Sequence, residues 1–144
     1  MKRIPRWFFL LAWMPIFWVV PTGSLAWAEE NDVLIALTVA RQEQLTALQT
    51  RLLLAIRAQE NGRSGREYGV LVVSAPTQEV QARITARTIK RNWQRWKVAG
   101  QSGDPVEWMA QRWAPIGAEN DPHGLNRYWL RNVRAFLSVL GSHD

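Results

Sequence analysis

Residues Leu52 to Leu71 read LLLAIRAQENGRSGREYGVL. An apolar helical stripe runs through Leu52 and Ile56 to one acidic residue, Glu60, and then into a turn carrying Gly62, Gly65 and Gly69. Asn61 and Gly62 suit the left-handed backbone conformation that closes a helix, so Glu60 is placed on the last helical turn or just beyond it. A carboxylate at the end of a buried helix, facing a loop whose glycines let backbone come close to a ligand, has the form of a general acid.

Upstream, from Asp32 to Gln59, apolar residues fall at Leu34, Leu37, Leu45, Leu48, Leu52 and Ile56, with steps of three or four around a break at Arg41. That spacing predicts one long amphipathic helix. Downstream, Val70-Leu71-Val72-Val73 is β-prone but short, fitting one arm of a small hairpin or an extended loop. Pro76 and Thr77 open a second helix, in which Ala82, Ala86, Ile89, Trp93 and Trp96 share a face, and Gly100 to Gly103 breaks it. Asp104-Pro105-Val106-Glu107 combines an N-cap aspartate, a proline at the first helical position and a glutamate three residues after the cap. A short third helix should begin there and finish before Pro115. Ala114 to Leu125, rich in Gly, Asn, Asp and Pro, reads as a surface loop. A fourth helix is expected from about Asn126 to Leu140, burying Trp129, Val133, Phe136, Leu137 and Leu140. The fold class expected is mainly α: a compact helical domain with a short extended segment after the first long helix.

The N-terminus has the grammar of an export signal. Lys2, Arg3 and Arg6 precede an apolar run from Trp7 to Val20, and Ala26-Trp27-Ala28 supplies the small residues a signal peptidase requires. A membrane-spanning helix needs about 20 apolar residues, whereas this run is shorter and is interrupted by Pro15. Cleavage after Ala28 is the favoured reading, placing a domain of residues 29–144 in the periplasm or outside the cell; an uncleaved N-terminal anchor is the alternative. Without residues 1–28, Lys and Arg fall from 18 to 15 while all 12 acidic residues remain, so the net charge drops from +6 to +3. A charge of that size suits an anionic wall polymer or ordinary solubility and does not indicate nucleic acid as a partner. No cysteine is present, which excludes disulfides and thiolate zinc sites, and His123 and His143 are too few for a histidine-rich metal site. No cofactor motif is present: there is no phosphate-binding glycine loop ending in Lys-Ser or Lys-Thr, and no Gly-x-Ser-x-Gly elbow.

A helix ending in Glu60, a small polar turn, and the step Gly69-Val70-Leu71 together resemble the catalytic segment of the lysozyme-like superfamily, above all the soluble lytic transglycosylases and bacterial glucosaminidases. The Arg112-Trp113-Ala114-Pro115 region and the helix opening at Tyr128-Trp129 are broadly similar to the remainder of that domain, so the resemblance spans about residues 45 to 140. Asn61 stands where those transglycosylases usually carry serine, and their Ala-Tyr-Asn-Ala-Gly motif is absent. The resemblance implies a monomeric enzyme acting on peptidoglycan or a related amino-sugar polymer, with Glu60 as general acid and an apolar wall raising its pKa. It further implies that one glutamate suffices, the substrate's acetamido group assisting and an internal hydroxyl closing a 1,6-anhydro ring. Enzymes with two essential carboxylates need a second as nucleophile or base, for which Glu67, Glu119 and Asp121 are available.

Around that centre, Tyr68, Gly69, Trp113, Asn120, Asp121, Asn126 and Tyr128 are the residues expected to meet substrate. A structural role is set beside this one: Glu60 itself fits a solvated residue at a helix end, where its charge is mildly unfavourable. Tyr68 fits half-buried packing as well as orienting Glu60 through its hydroxyl, and Glu67 fits a surface pair with Arg66 or Arg63. Asn120 and Asp121 fit Asx-type turn bonds as well as bonds to sugar hydroxyls. Trp93 and Trp129 fall on apolar faces and read as core, whereas Trp113, beside Pro115, is placed to line a groove. Arg83, Arg87, Lys90, Arg91, Arg95 and Lys97 give the second helix a basic face, which most often is simply solvated. The other functional class these features admit is a non-catalytic helical protein of the periplasm that binds wall glycan or a partner protein.

Overall fold

The computed structural model describes residues 30–60, 66–70 and 75–142. The signal-like N-terminus, the turn 61–65 and the β-prone run beyond Val70 lie outside them. Among the described residues the fold is all-helical: α1 (Glu30–Gln42), α2 (Ala47–Glu60), α3 (Gln78–Val98), α4 (Pro105–Trp113) and α5 (Trp129–Gly141), with a 3-10 turn (Leu125–Tyr128) leading into α5. None of these helices is long and apolar enough to cross a membrane.

The single long helix expected upstream of Glu60 is two helices. Gln44 takes a positive φ of 54°, and the amides of Gln44 and Leu45 donate to Arg41 O and Ala40 O at 3.1 and 2.9 Å, the paired bonds of a Schellman stop. Thr46 then restarts the chain. Its hydroxyl accepts from Gln49 N at 3.3 Å while Gln49 Oε1 accepts from Thr46 N at 3.0 Å, a reciprocal capping box. The apolar stripe expected across this junction is also not the buried face: Leu34, Leu37 and Leu48 are exposed, and α1 is buried instead through Ala36, Val39 and Ala40.

The other boundaries follow the local chemistry. Thr77 caps α3 by accepting from Val80 N, and Gly100, at φ 93°, closes it with Gly100 N and Gln101 N bonded to Lys97 O and Trp96 O. Asp104 Oδ1 accepts from Val106 N at 2.8 Å with Pro105 at the first position of α4. The fourth helix expected from Asn126 begins instead as the 3-10 turn and becomes α-helical at Trp129.

The centre of the fold is α2, whose residues from Leu52 to Ala58 are all buried. A run buried at seven successive positions must be surrounded, and α1, α3 and α5 pack about it. Leu52, Leu53, Ile56, Ile89, Met109 and Val133 are fully excluded from solvent. Each contributes on the order of 2 kcal/mol by burial. Phe136, Leu137 and Leu140 pack on this core but stay only partly buried, because α5 lies at the edge of the bundle. The basic face of α3 is solvated yet tied down: Arg87 reaches Glu43 at 2.9 Å, Lys90 donates to Glu43 O at 2.7 Å, and Arg83 pairs with Glu79.

Candidate active site

Three helix ends meet at one carboxylate. Glu60 is the last residue of α2, Trp113 the last of α4 and Trp129 the first of α5. Trp129 Nε1 donates to Glu60 Oε1 at 3.0 Å, and Trp113 Nε1 donates to the same oxygen at 3.2 Å. The two indoles lie 6.4 Å apart between ring centroids, tilted by 34°. Indole N–H groups donate only, so both require an acceptor in this apolar setting, and Glu60 Oε1 serves both.

The other carboxylate oxygen faces backbone. A Cβ added at Gly69 would come within 2.5 Å of Glu60 Oε2 and 2.7 Å of its Cδ, and Gly69 holds φ at 67°. Glycine is required twice over at this position, for the left-handed conformation and for the close approach. Burial raises the pKa of Glu60 above its ordinary value of 4.5, and the hydrogen bonds from Trp129 and Trp113 offset this in part. The negative end of the α2 dipole acts in the same direction as burial. The result is a partly buried carboxyl group with one oxygen fixed by two donors and the other set against a glycine.

Loop 66–70 is fastened from behind. Gln81 of α3, fully buried, accepts from Tyr68 N and Val70 N, each at 3.4 Å, and its Nε2 donates to Ala75 O at 3.2 Å. Arg57 of α2 pairs with Asp32 of α1 at 2.7 Å and donates to Glu67 O at 3.4 Å. Glu67 is buried, not at the surface as its sequence neighbours Arg63 and Arg66 suggested, because Arg57 draws this end of the loop into the core. Tyr68 is buried completely rather than by half, and its hydroxyl bonds to nothing among the described residues, Glu60 included. Burial pushes its pKa well up; Arg57 lowers it, and Asp32 and Glu67 raise it further.

The loop between α4 and the 3-10 turn is a series of tight turns, with Ala118 N bonded to Pro115 O, Asp121 N to Ala118 O and Gly124 N to Asp121 O. Asp121 spends both carboxylate oxygens on Leu125 N and Asn126 N, at 2.7 and 2.9 Å, and Asn126 Nδ2 donates to Pro115 O at 2.9 Å. These side chains therefore build the loop that joins Trp113 to Trp129. Asn120 is exposed, and Tyr128 is exposed with Arg127 and Arg131 over its ring at 5.8 and 4.9 Å. No hydrogen bond among the described residues joins Asn120, Asp121, Asn126 or Tyr128 to Glu60.

Of the residues singled out by sequence, the fold thus gathers Glu60, Gly69 and Trp113. It adds Trp129, whose apolar helical position accounts for its buried ring and conceals the direction of its N–H, and Gln81, a polar residue beside the apolar positions Ala82 and Ala86. Comparisons with protein-family models, with curated proteins and with solved structures find no match.

Proposed function

We propose that this protein is an exported glycosidase acting on peptidoglycan or a related amino-sugar polymer, with Glu60 as the general acid. The observation that carries the reading is the double donation of Trp113 and Trp129 to one oxygen of a carboxyl group that burial favours in its protonated form. With Oε1 held by N–H donors, the protonated form carries its proton on Oε2, the oxygen beside Gly69. Protonation of a glycosidic oxygen by a fixed, neutral carboxyl group is the first step of glycoside cleavage.

The reading extends to a single-carboxylate mechanism of the transglycosylase kind. Asp121 is committed to backbone amides, Glu119 is exposed on the surface loop, and Glu67 belongs to the buried Arg57 side of loop 66–70. In that mechanism Glu60, once it has given up its proton, takes one back from the internal hydroxyl that closes the anhydro ring, and so returns to its starting state. Trp113, only partly buried, offers its ring to a pyranose face while its N–H holds the acid.

The test is release of soluble sugar from purified peptidoglycan by the protein and by its Glu60→Gln variant, with products identified by mass. Anhydro-muropeptides from the wild type alone support a lytic transglycosylase, and products with reducing ends support a hydrolase. Wall binding by both proteins without release by either leaves a glycan-binding protein and removes the enzymatic reading.

A further inference from the structure

Gln81 sits in the second turn of α3, remote in sequence from every residue of the site, and is fully excluded from solvent. A buried amide is costly unless its polar atoms are satisfied. Here three hydrogen bonds go to one short stretch of chain. The carbonyl oxygen takes the amides of Tyr68 and Val70, the two residues that flank Gly69, and the amino group holds Ala75 O further along. Gly69 is in turn the residue whose backbone abuts Glu60 Oε2.

We propose that Gln81 is a positioning residue of the Glu60 site: by holding both neighbours of Gly69 it fixes that backbone against Glu60 Oε2. The inference rests on the reading of Glu60 as the general acid. Gln81 touches neither the carboxylate nor, on this geometry, a substrate, and it acts through Gly69. A clamp of this kind keeps water from the face of Glu60 covered by the loop and sets the direction in which Oε2 presents its proton, two quantities on which acid catalysis depends steeply.

The test uses the full chain and two variants, Gln81→Met, which keeps the side-chain length without its hydrogen bonds, and Gln81→Glu, which keeps the acceptor. Because both indoles donate to Glu60, their N–H signals followed by NMR through a pH titration report its ionisation, and Glu60→Gln supplies the flat control. Gln81→Met is expected to retain its helical circular dichroism while the titration midpoint falls toward the ordinary glutamate range. Sugar release from peptidoglycan should drop on the order of tenfold to a hundredfold. Gln81→Glu should hold the midpoint at or above that of the wild type. A Gln81→Met protein that melts earlier but keeps the wild-type midpoint overturns the proposal and leaves Gln81 a structural residue. If Gln81→Met does not fold, Gln81→Glu decides, and a fall of its midpoint to the ordinary range overturns the proposal. Absence of sugar release by the wild type removes the general-acid reading, whereas the indole titration still reads the action of Gln81 on Glu60.

Discussion

Trp129 Nε1 lies 3.0 Å from Glu60 Oε1, joining the first residue of α5 to the last residue of α2 across 69 positions of sequence. The bond stabilises the ionised form of a carboxyl group whose neutral form burial favours. Trp129→Phe removes the donor and keeps an aromatic ring. The pKa of Glu60 is expected to rise further, moving the alkaline limb of any Glu60-dependent activity to higher pH. Trp113→Phe should move it the same way by less. Rate against pH for the three proteins checks this, and an unmoved limb in Trp129→Phe would deny the bond its role.

Glu60→Gln should reduce sugar release by about a hundredfold or more, the usual contribution of a general acid. The same variant tests the linkage of this site to folding. With its folded pKa raised above the ordinary 4.5, Glu60 contributes stability that is full below that value and is lost as the pH rises through the folded one, because the unfolded chain releases its proton first. Urea titrations at several pH values should therefore show Glu60→Gln gaining on the wild type as pH increases across that window. A constant difference would indicate that burial does not shift Glu60.

Gly69→Ala meets two obstacles, the left-handed φ of 67° and a Cβ placed 2.5 Å from Glu60 Oε2. The backbone conformation alone costs about 1–3 kcal/mol for a residue with a side chain. Thermal melting should show that loss, and sugar release should fall further than stability explains, because the carboxylate must move to make room. Gly100→Ala, at φ 93° with nothing within 4 Å of the new Cβ, is the control that carries only the backbone cost.

Arg57 and Asp32 form an ion pair at 2.7 Å with side chains only 10% and 14% exposed. Removing one partner, as in Asp32→Ala, leaves a charge with little water and should cost about 3–5 kcal/mol. Replacing both, as Asp32→Leu with Arg57→Met, should recover part of that loss in a double-mutant cycle. Arg134→Ala breaks contacts to Asp104 at 2.7 Å and Glu107 at 3.0 Å, but its side chain is 48% exposed, and denaturation should register no more than about 1 kcal/mol.

Much of the frame was legible before folding. The Asp104-Pro105 and Thr77 caps and the Gly100 stop announce themselves because each is a bargain between a side chain and backbone a few residues away. The junction at Gln44 escaped because its device, a non-glycine residue at positive φ followed by the Thr46–Gln49 box, lies in backbone conformation and polar caps, whereas the expected stripe follows leucines of which Leu34, Leu37 and Leu48 are exposed. Glu60 and Gly69 stood out through residue type, and Trp113 through its place beside Pro115. Asp121 and Asn126 drew attention for the same reason, yet their polar atoms serve the loop itself.

By itself the sequence determined the helical class, most helix ends and the placement of Glu60 at the close of an apolar helix, since propensity, capping and periodicity act over one or two turns. Only the tertiary structure decided that Trp113 and Trp129 share one oxygen of Glu60, that Gln81 grips both sides of Gly69, and that Glu67 and Tyr68 are buried. An indole N–H or an amide on a helical face has no direction in sequence. It acquires one when the packing of α2 against its neighbours brings distant helix ends to the same point and sets the indole donors of Trp113 and Trp129 against one acceptor, Glu60 Oε1.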